Sequence, residues 1–71
     1  MNKLAYWRAK RELSVRQLAV KSGVTPATIS RLETGRIKSH LLTLGRLANA
    51  LNIDLTELRD LALIADHSNT L

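Results

Sequence analysis

Seventy-one residues without a cysteine make one small domain that neither a disulfide nor a thiolate metal site can staple, so its fold must rest on a packed core. Apolar residues make up 45% of the chain, with no Phe and few β-branched residues, which favours helices and excludes a sheet of alternating strands. The formal charge of +5 is uneven: residues 1–46 hold ten Lys and Arg against Glu12 and Glu33, a net of +8, whereas residues 47–71 hold Arg59 against four acids, a net of −3. The first part is built to meet a polyanion, with nucleic acid as the default partner and an anionic membrane surface as its competitor.

The start, "MNKLAYWRAKREL", is charged throughout and lacks the apolar core and cleavage site of a signal peptide; "LALIA" at 61–65 is too short to span a bilayer. A soluble, cytoplasmic protein without a membrane partner is expected. The first helix is predicted from Asn2, its N-cap, to about Glu12, with Leu4 and Trp7 at helical spacing. Ser14 caps the second, its hydroxyl accepting from the amide of Arg16 or Gln17, and Gly23 ends it with a positive φ. Thr25 caps the third and Pro26 takes its first position, where a missing N–H costs nothing. Ile29 and Leu32 then point one way, while Ala27, Ser30, Arg31 and Thr34 point the other, and Gly35 closes the helix.

After the basic loop "RIKSH", Ser39 or His40 is expected to cap a fourth helix with Leu41, Leu44, Leu47, Ala48 and Leu51 as its apolar stripe and Asn52 as a left-handed cap. The run "DLTE" reads as a capping box in which Asp54 accepts from the amide of Glu57 and the Glu57 side chain reaches back. A fifth helix follows, with Leu55, Leu58, Leu61, Ala62 and Ala65 on one stripe. Residues 66–71 carry no pattern and are expected to fray.

Five short helices, the second and third joined by a Gly-centred turn, describe a helix-turn-helix domain. The run "LSVRQLAVKSGVTPATISRLETGR" followed by "LLTLGRLANALNIDLTEL" resembles the phage-repressor and Cro-like (XRE) family of transcriptional regulators, over residues 4 to about 58. The resemblance implies an all-α, compact five-helix, lambda-repressor-like DNA-binding domain over residues 2–65, its helix-turn-helix proper at 15–34. It implies that Pro26 to Thr34 enters the major groove, with Pro26, Ala27, Thr28 and Arg31 at the bases. Small side chains let such a helix approach the groove floor, an Arg fork fits guanine O6 and N7, and Ala or a Thr methyl packs on a thymine methyl.

Phosphate contacts are expected from Ser14, Arg16, Gln17, Thr25, Ser30 and Thr34, and from Arg36, Lys38 and Ser39 in the basic loop. Arg8 and Glu33 stand where relatives form a buried ion pair between the first and third helices. Two positions depart from the pattern. Val15 stands where many relatives carry a Gln that touches phosphate or braces the third helix, a role left to Arg16 or Gln17, and Ser22 stands where relatives place an aliphatic residue.

Trp7 is expected at the first helix's core position, a buried indole with its N–H bonded nearby. His40 and His67 have no ligand partners at metal spacing, and no nucleophile with a base, carboxylate pair or phosphate-cradling glycine loop is present, so neither metal, cofactor nor catalysis is expected. The apolar surplus at Leu58, Leu61, Leu63 and Ile64 either packs on the domain or forms a two-fold interface, and a homodimer is expected because one such helix reads only a few base pairs. The sequence thus predicts a sequence-specific binder of double-stranded DNA, a repressor. The alternatives are an antitoxin-like interaction module with a protein partner on the C-terminal third, and membrane-surface association through "KLAYWRAKR".

Overall fold

The computed structural model describes residues 2–63, and over these the chain is all-α. Four α-helices, α1 (Lys3–Lys10), α2 (Val15–Ser22), α3 (Pro26–Glu33) and α4 (Leu41–Leu51), precede a 3-10 helix at Leu55–Leu61. Each α-helix begins after an extended residue, and three of the caps bond through their side chains: Asn2 accepts from Ala5 N, Ser14 from Gln17 N and Thr25 from Thr28 N. His40, which precedes α4, makes no such bond. Among the described residues no helix is long and apolar enough to cross a membrane.

Three helix exits share one geometry. At each, a residue with positive φ donates its amide three positions back while the next residue's amide reaches five positions back, which is the Schellman arrangement. Gly35 N meets Leu32 O at 3.1 Å with Arg36 N on Arg31 O at 2.9 Å, and Asn52 N meets Asn49 O at 3.1 Å with Ile53 N on Ala48 O at 3.0 Å. The third is at Glu12, whose φ of 58° is left-handed, and it stops α1 earlier than its sequence pattern suggests. Glu12 N reaches Ala9 O at 2.9 Å and Leu13 N reaches Arg8 O at 3.1 Å.

α4 is the central element. Its Leu44, Leu47, Ala48 and Leu51 are buried against α2 and the 3-10 helix, while Ile29 and Leu32 of α3 and Leu4 of α1 complete the same core. Leu41, in the first turn of α4, departs from the expected stripe and stays half exposed.

The last element corrects two expectations. It is a 3-10 helix that stops at Leu61, not a long α-helix, and Ala62 is extended and forms an isolated parallel bridge with Ser39. Ser39 N donates to Leu61 O at 2.9 Å and Leu63 N to Ser39 O at 3.0 Å, so backbone pairing with the basic loop ends the helix. The "DLTE" capping box does not form either. In 3-10 geometry the Glu57 amide is taken by the Asp54 backbone carbonyl at 3.0 Å, so the Asp54 carboxylate accepts instead from Thr56 N and Thr56 Oγ1, both at 2.9 Å. Ile64, Ala65 and the tail 66–71 lie outside the described residues.

The same geometry removes two residues from the expected two-fold interface. Leu58 is 0% and Leu61 6% exposed within the domain's own core, so neither side chain is available to a second copy. Leu63 is half-buried.

Candidate nucleic-acid interface

The turn between α2 and α3 is held from three sides. Gly23 adopts φ 77° and donates its amide to Ala19 O at 2.9 Å, Val24 turns into the core, and the Ser22 hydroxyl accepts from Val24 N at 3.1 Å. Ser22 thereby gives the turn a partner that an aliphatic residue would not supply. Its place two residues before a buried amide was the available signal.

α3 leaves this turn amphipathic. Ile29 and Leu32 are fully buried, whereas Pro26, Ala27, Ser30, Arg31 and Thr34 are exposed and Thr28 is half-buried. Thr28 is drawn back toward the cap, its hydroxyl accepting from Thr25 Oγ1 at 3.0 Å. The Thr34 hydroxyl donates inward to Ser30 O at 3.1 Å and Arg31 O at 3.2 Å, so its proton is already used within the helix. Because the Gly35 exit ties Arg36 N to Arg31 O, Arg36 returns beside α3, and a shallow hollow lined by Ser30, Arg31, Thr34 and Arg36 opens at the end of the helix.

The N-terminal end of α3 has its own basic neighbour. A shallow groove at the turn is lined by Arg16, Val20, Gly23, Thr25 and Pro26 among others, which places Arg16 across the turn from the start of α3. Gln17 is differently engaged: its Oε1 accepts from Ser14 N at 2.7 Å while Ser14 Oγ accepts from Gln17 N at 3.0 Å, a full capping box where the sequence pointed only to its Ser14 half. Arg16, and not Gln17, lines the groove that the start of α3 shares. Val15 packs against the core.

The loop residues behave unequally. Arg36 is exposed at the end of α3, whereas the Lys38 ammonium donates to Asp60 O at 2.7 Å, over the last turn of the 3-10 helix. Ser39 is held through its backbone by Leu61 and Leu63.

Behind the exposed face, Arg8 and Glu33 form a forked ion pair, Nε to Oε2 at 2.5 Å and Nη2 to Oε1 at 3.0 Å, with Nη1 donating to Leu13 O at 2.8 Å. Hydrogen bonding to Glu33 raises the Arg8 pKa above its ordinary value. Glu33 is the only acid between Glu12 and Asp54 in the sequence, and its carboxylate is turned inward onto Arg8.

The aromatic pair of α1 is tied into the structure as well. Arg11 lies over the Trp7 ring at 5.1 Å and caps α4, Nε donating to Leu51 O at 2.7 Å and Nη2 to Asn52 O at 3.3 Å. This role was hidden in the sequence, since forty residues separate Arg11 from the carbonyl it meets. Trp7 is half-buried, less covered than its core position suggests, and its Nε1 donates to Glu57 Oε1 at 3.2 Å. Among the described residues no three His, Asp or Glu side chains gather as a metal site would require.

A helix-turn-helix family model matches residues 4–58, which span α1 through most of the 3-10 helix. No curated protein and no solved structure matches the chain.

Proposed function

The chain belongs to the helix-turn-helix family, a class of DNA-binding regulatory domains, and from that premise we propose that it is a sequence-specific repressor of transcription that lays α3 in the major groove of double-stranded DNA. The observation that carries this reading is the outward face of α3: small side chains around an exposed Arg31, flanked by Arg16 at one end and Arg36 at the other, with the one acid of α3, Glu33, turned inward onto Arg8.

Such a face suits duplex DNA for separate reasons. Ala27 and the Thr28 methyl present apolar surface that packs on thymine methyls, and Arg31 has the fork that guanine O6 and N7 accept. Arg16 and Arg36 sit where the backbones bordering the groove would pass, with Ser30 between them and with Thr25 and Ser14 at the N-terminal side, while Pro26 leads the helix in toward the bases. Lys38 and Ser39 act further out, since both are tied to the C-terminal end of the 3-10 helix. The protein works as a homodimer on a two-fold site in the bacterial cytoplasm, because one helix reads too few base pairs for a unique address.

For the alternative of a protein-interaction module on the C-terminal third, Leu58 and Leu61 are core residues and supply no contact to a partner. Selection from a randomised duplex pool, followed by affinity against salt for the winner and a scrambled control, tests the DNA reading. A two-fold consensus that is strongly preferred supports it. Equal affinity for both duplexes, falling together as salt rises, would leave only non-specific attraction.

A further inference from the structure

Among the outward residues of α3, Thr28 alone is half-buried, and its hydroxyl is engaged by a neighbouring one. Thr25 Oγ1 accepts from Thr28 N at 3.3 Å and donates to Thr28 Oγ1 at 3.0 Å, so two bonds join the same two residues. The first is the ordinary cap. The second satisfies no backbone group left over at the helix start, so capping does not account for it.

The consequence of that second bond lies at the Thr28 Cβ. A helical threonine divides between two χ1 rotamers, because its hydroxyl can bond backbone carbonyls one turn back. Thr25 supplies a competing partner at a fixed place, next to a Pro26 whose own φ is locked, and so selects one rotamer. Oγ1 and the γ-methyl sit on the same tetrahedral carbon, so holding the oxygen also holds the methyl. That methyl becomes a fixed part of the face that the exposed Pro26 and Ala27 extend with apolar carbon.

We propose that Thr25 is a positioning residue, which by holding Thr28 Oγ1 sets the Thr28 γ-methyl against the C5-methyl of a pyrimidine in the major groove. The C5-methyl is the apolar group that a base pair shows in that groove. Thymine carries it, and 5-methylcytosine carries the same group at the same place. This role rests on the DNA reading given above and adds to it a hydroxyl, three residues earlier, that touches no base.

Uracil differs from thymine by that methyl alone, so the test is binding of the full chain to the selected duplex with each thymine replaced in turn by uracil. The thymine facing Thr28 is the one at which uracil adds no further loss to Thr28→Ser, which keeps the hydroxyl and removes the methyl. At that position wild type should prefer thymine by about fourfold, the effect of burying one methyl, and Thr28→Ser should bring the ratio to about one. Thr25→Val, an isostere without the hydroxyl, should bring it below about twofold. Adding Thr28→Val to Thr25→Val should restore about fourfold, because valine carries a methyl on both branches and holds one rotamer in a helix. Loss of a cap or of a phosphate contact would weaken both duplexes by the same factor, and the ratio cancels any loss of folded protein.

A Thr25→Val ratio equal to that of wild type overturns the positioning role, and a Thr28→Ser ratio equal to that of wild type overturns the methyl reading. Cytosine and 5-methylcytosine at the same position separate the two sources: a gain of about fourfold on methylation means that both pyrimidines are read, and no gain confines the role to thymine. A chain that prefers no duplex loses the DNA reading and this role together. A preferred duplex that is indifferent to uracil at every thymine removes this role alone.

Discussion

Glu33 stands at the C-terminal end of α3, where a carboxylate is unfavourable to the helix dipole, and it is held there because Arg8 of α1 reaches it through two parallel hydrogen bonds. The pair fixes the angle at which α3 presents its outer face. Its side chains are only 21% and 11% exposed, so each charge depends on the other. Glu33→Ala should lower stability by about 3 kcal/mol through the stranded guanidinium, measured as a shift in the urea midpoint, while Arg8→Met with Glu33→Leu should cost less than the two single changes together.

The helix exits predict two opposite outcomes. Gly35 has φ 75° and open space where a Cβ would sit, so Gly35→Ala should destabilise by about 1 kcal/mol from backbone strain alone. Glu12 occupies the same conformation with a side chain, so Glu12→Gly should stabilise by roughly 0.5–1 kcal/mol. Thermal melts of the two variants should move in opposite directions.

At the DNA face, Arg31→Ala should reduce discrimination at one base pair by about 1–3 kcal/mol and leave the others intact. Arg36→Ala should instead weaken all duplexes alike and lower the salt slope by about one. Lys38→Ala should do so to a smaller extent, since its ammonium is already bonded to Asp60 O. Quantitative binding to single-substituted duplexes at several salt concentrations separates the three.

Glu57 links pH to the packing of α1 on the 3-10 helix. Hydrogen bonds from Lys3 and then from the Trp7 indole hold its carboxyl below its ordinary pKa. A depressed carboxyl contributes stability that is fully present above its unfolded pKa and is lost as pH falls through the folded value. Stability should therefore decline on the acid side of the usual glutamate range, with a change in Trp7 fluorescence. In Glu57→Gln, which keeps an acceptor for the indole but does not titrate, that part of the decline should be absent.

Much of the fold could be read in the sequence because its signals are local. Ser14, Thr25 with Pro26, Gly23, Gly35 and Asn52 each act on backbone groups within five residues, so their spacing alone places α2, α3 and the end of α4. The face of α3 was equally legible, since helical periodicity separates Ile29 and Leu32 from Ala27, Ser30 and Arg31 without reference to anything outside the helix.

The order of the helices and the caps of α2 and α3 thus follow from residues close together in the chain. How their apolar sides are used follows from packing alone. An apolar stripe records that a face avoids water but not what covers it: Leu58 and Leu61 found the core, while Leu41 and Leu42 were left outside it. A polar side chain near a helix start likewise has several partners open to it. Glu57 turned from a capping box to Lys3 Nζ and to Trp7 Nε1, fifty residues away, a partner that only the packing of α1 on the 3-10 helix brings within reach. Such choices depend on distances between segments that meet only when the chain has folded.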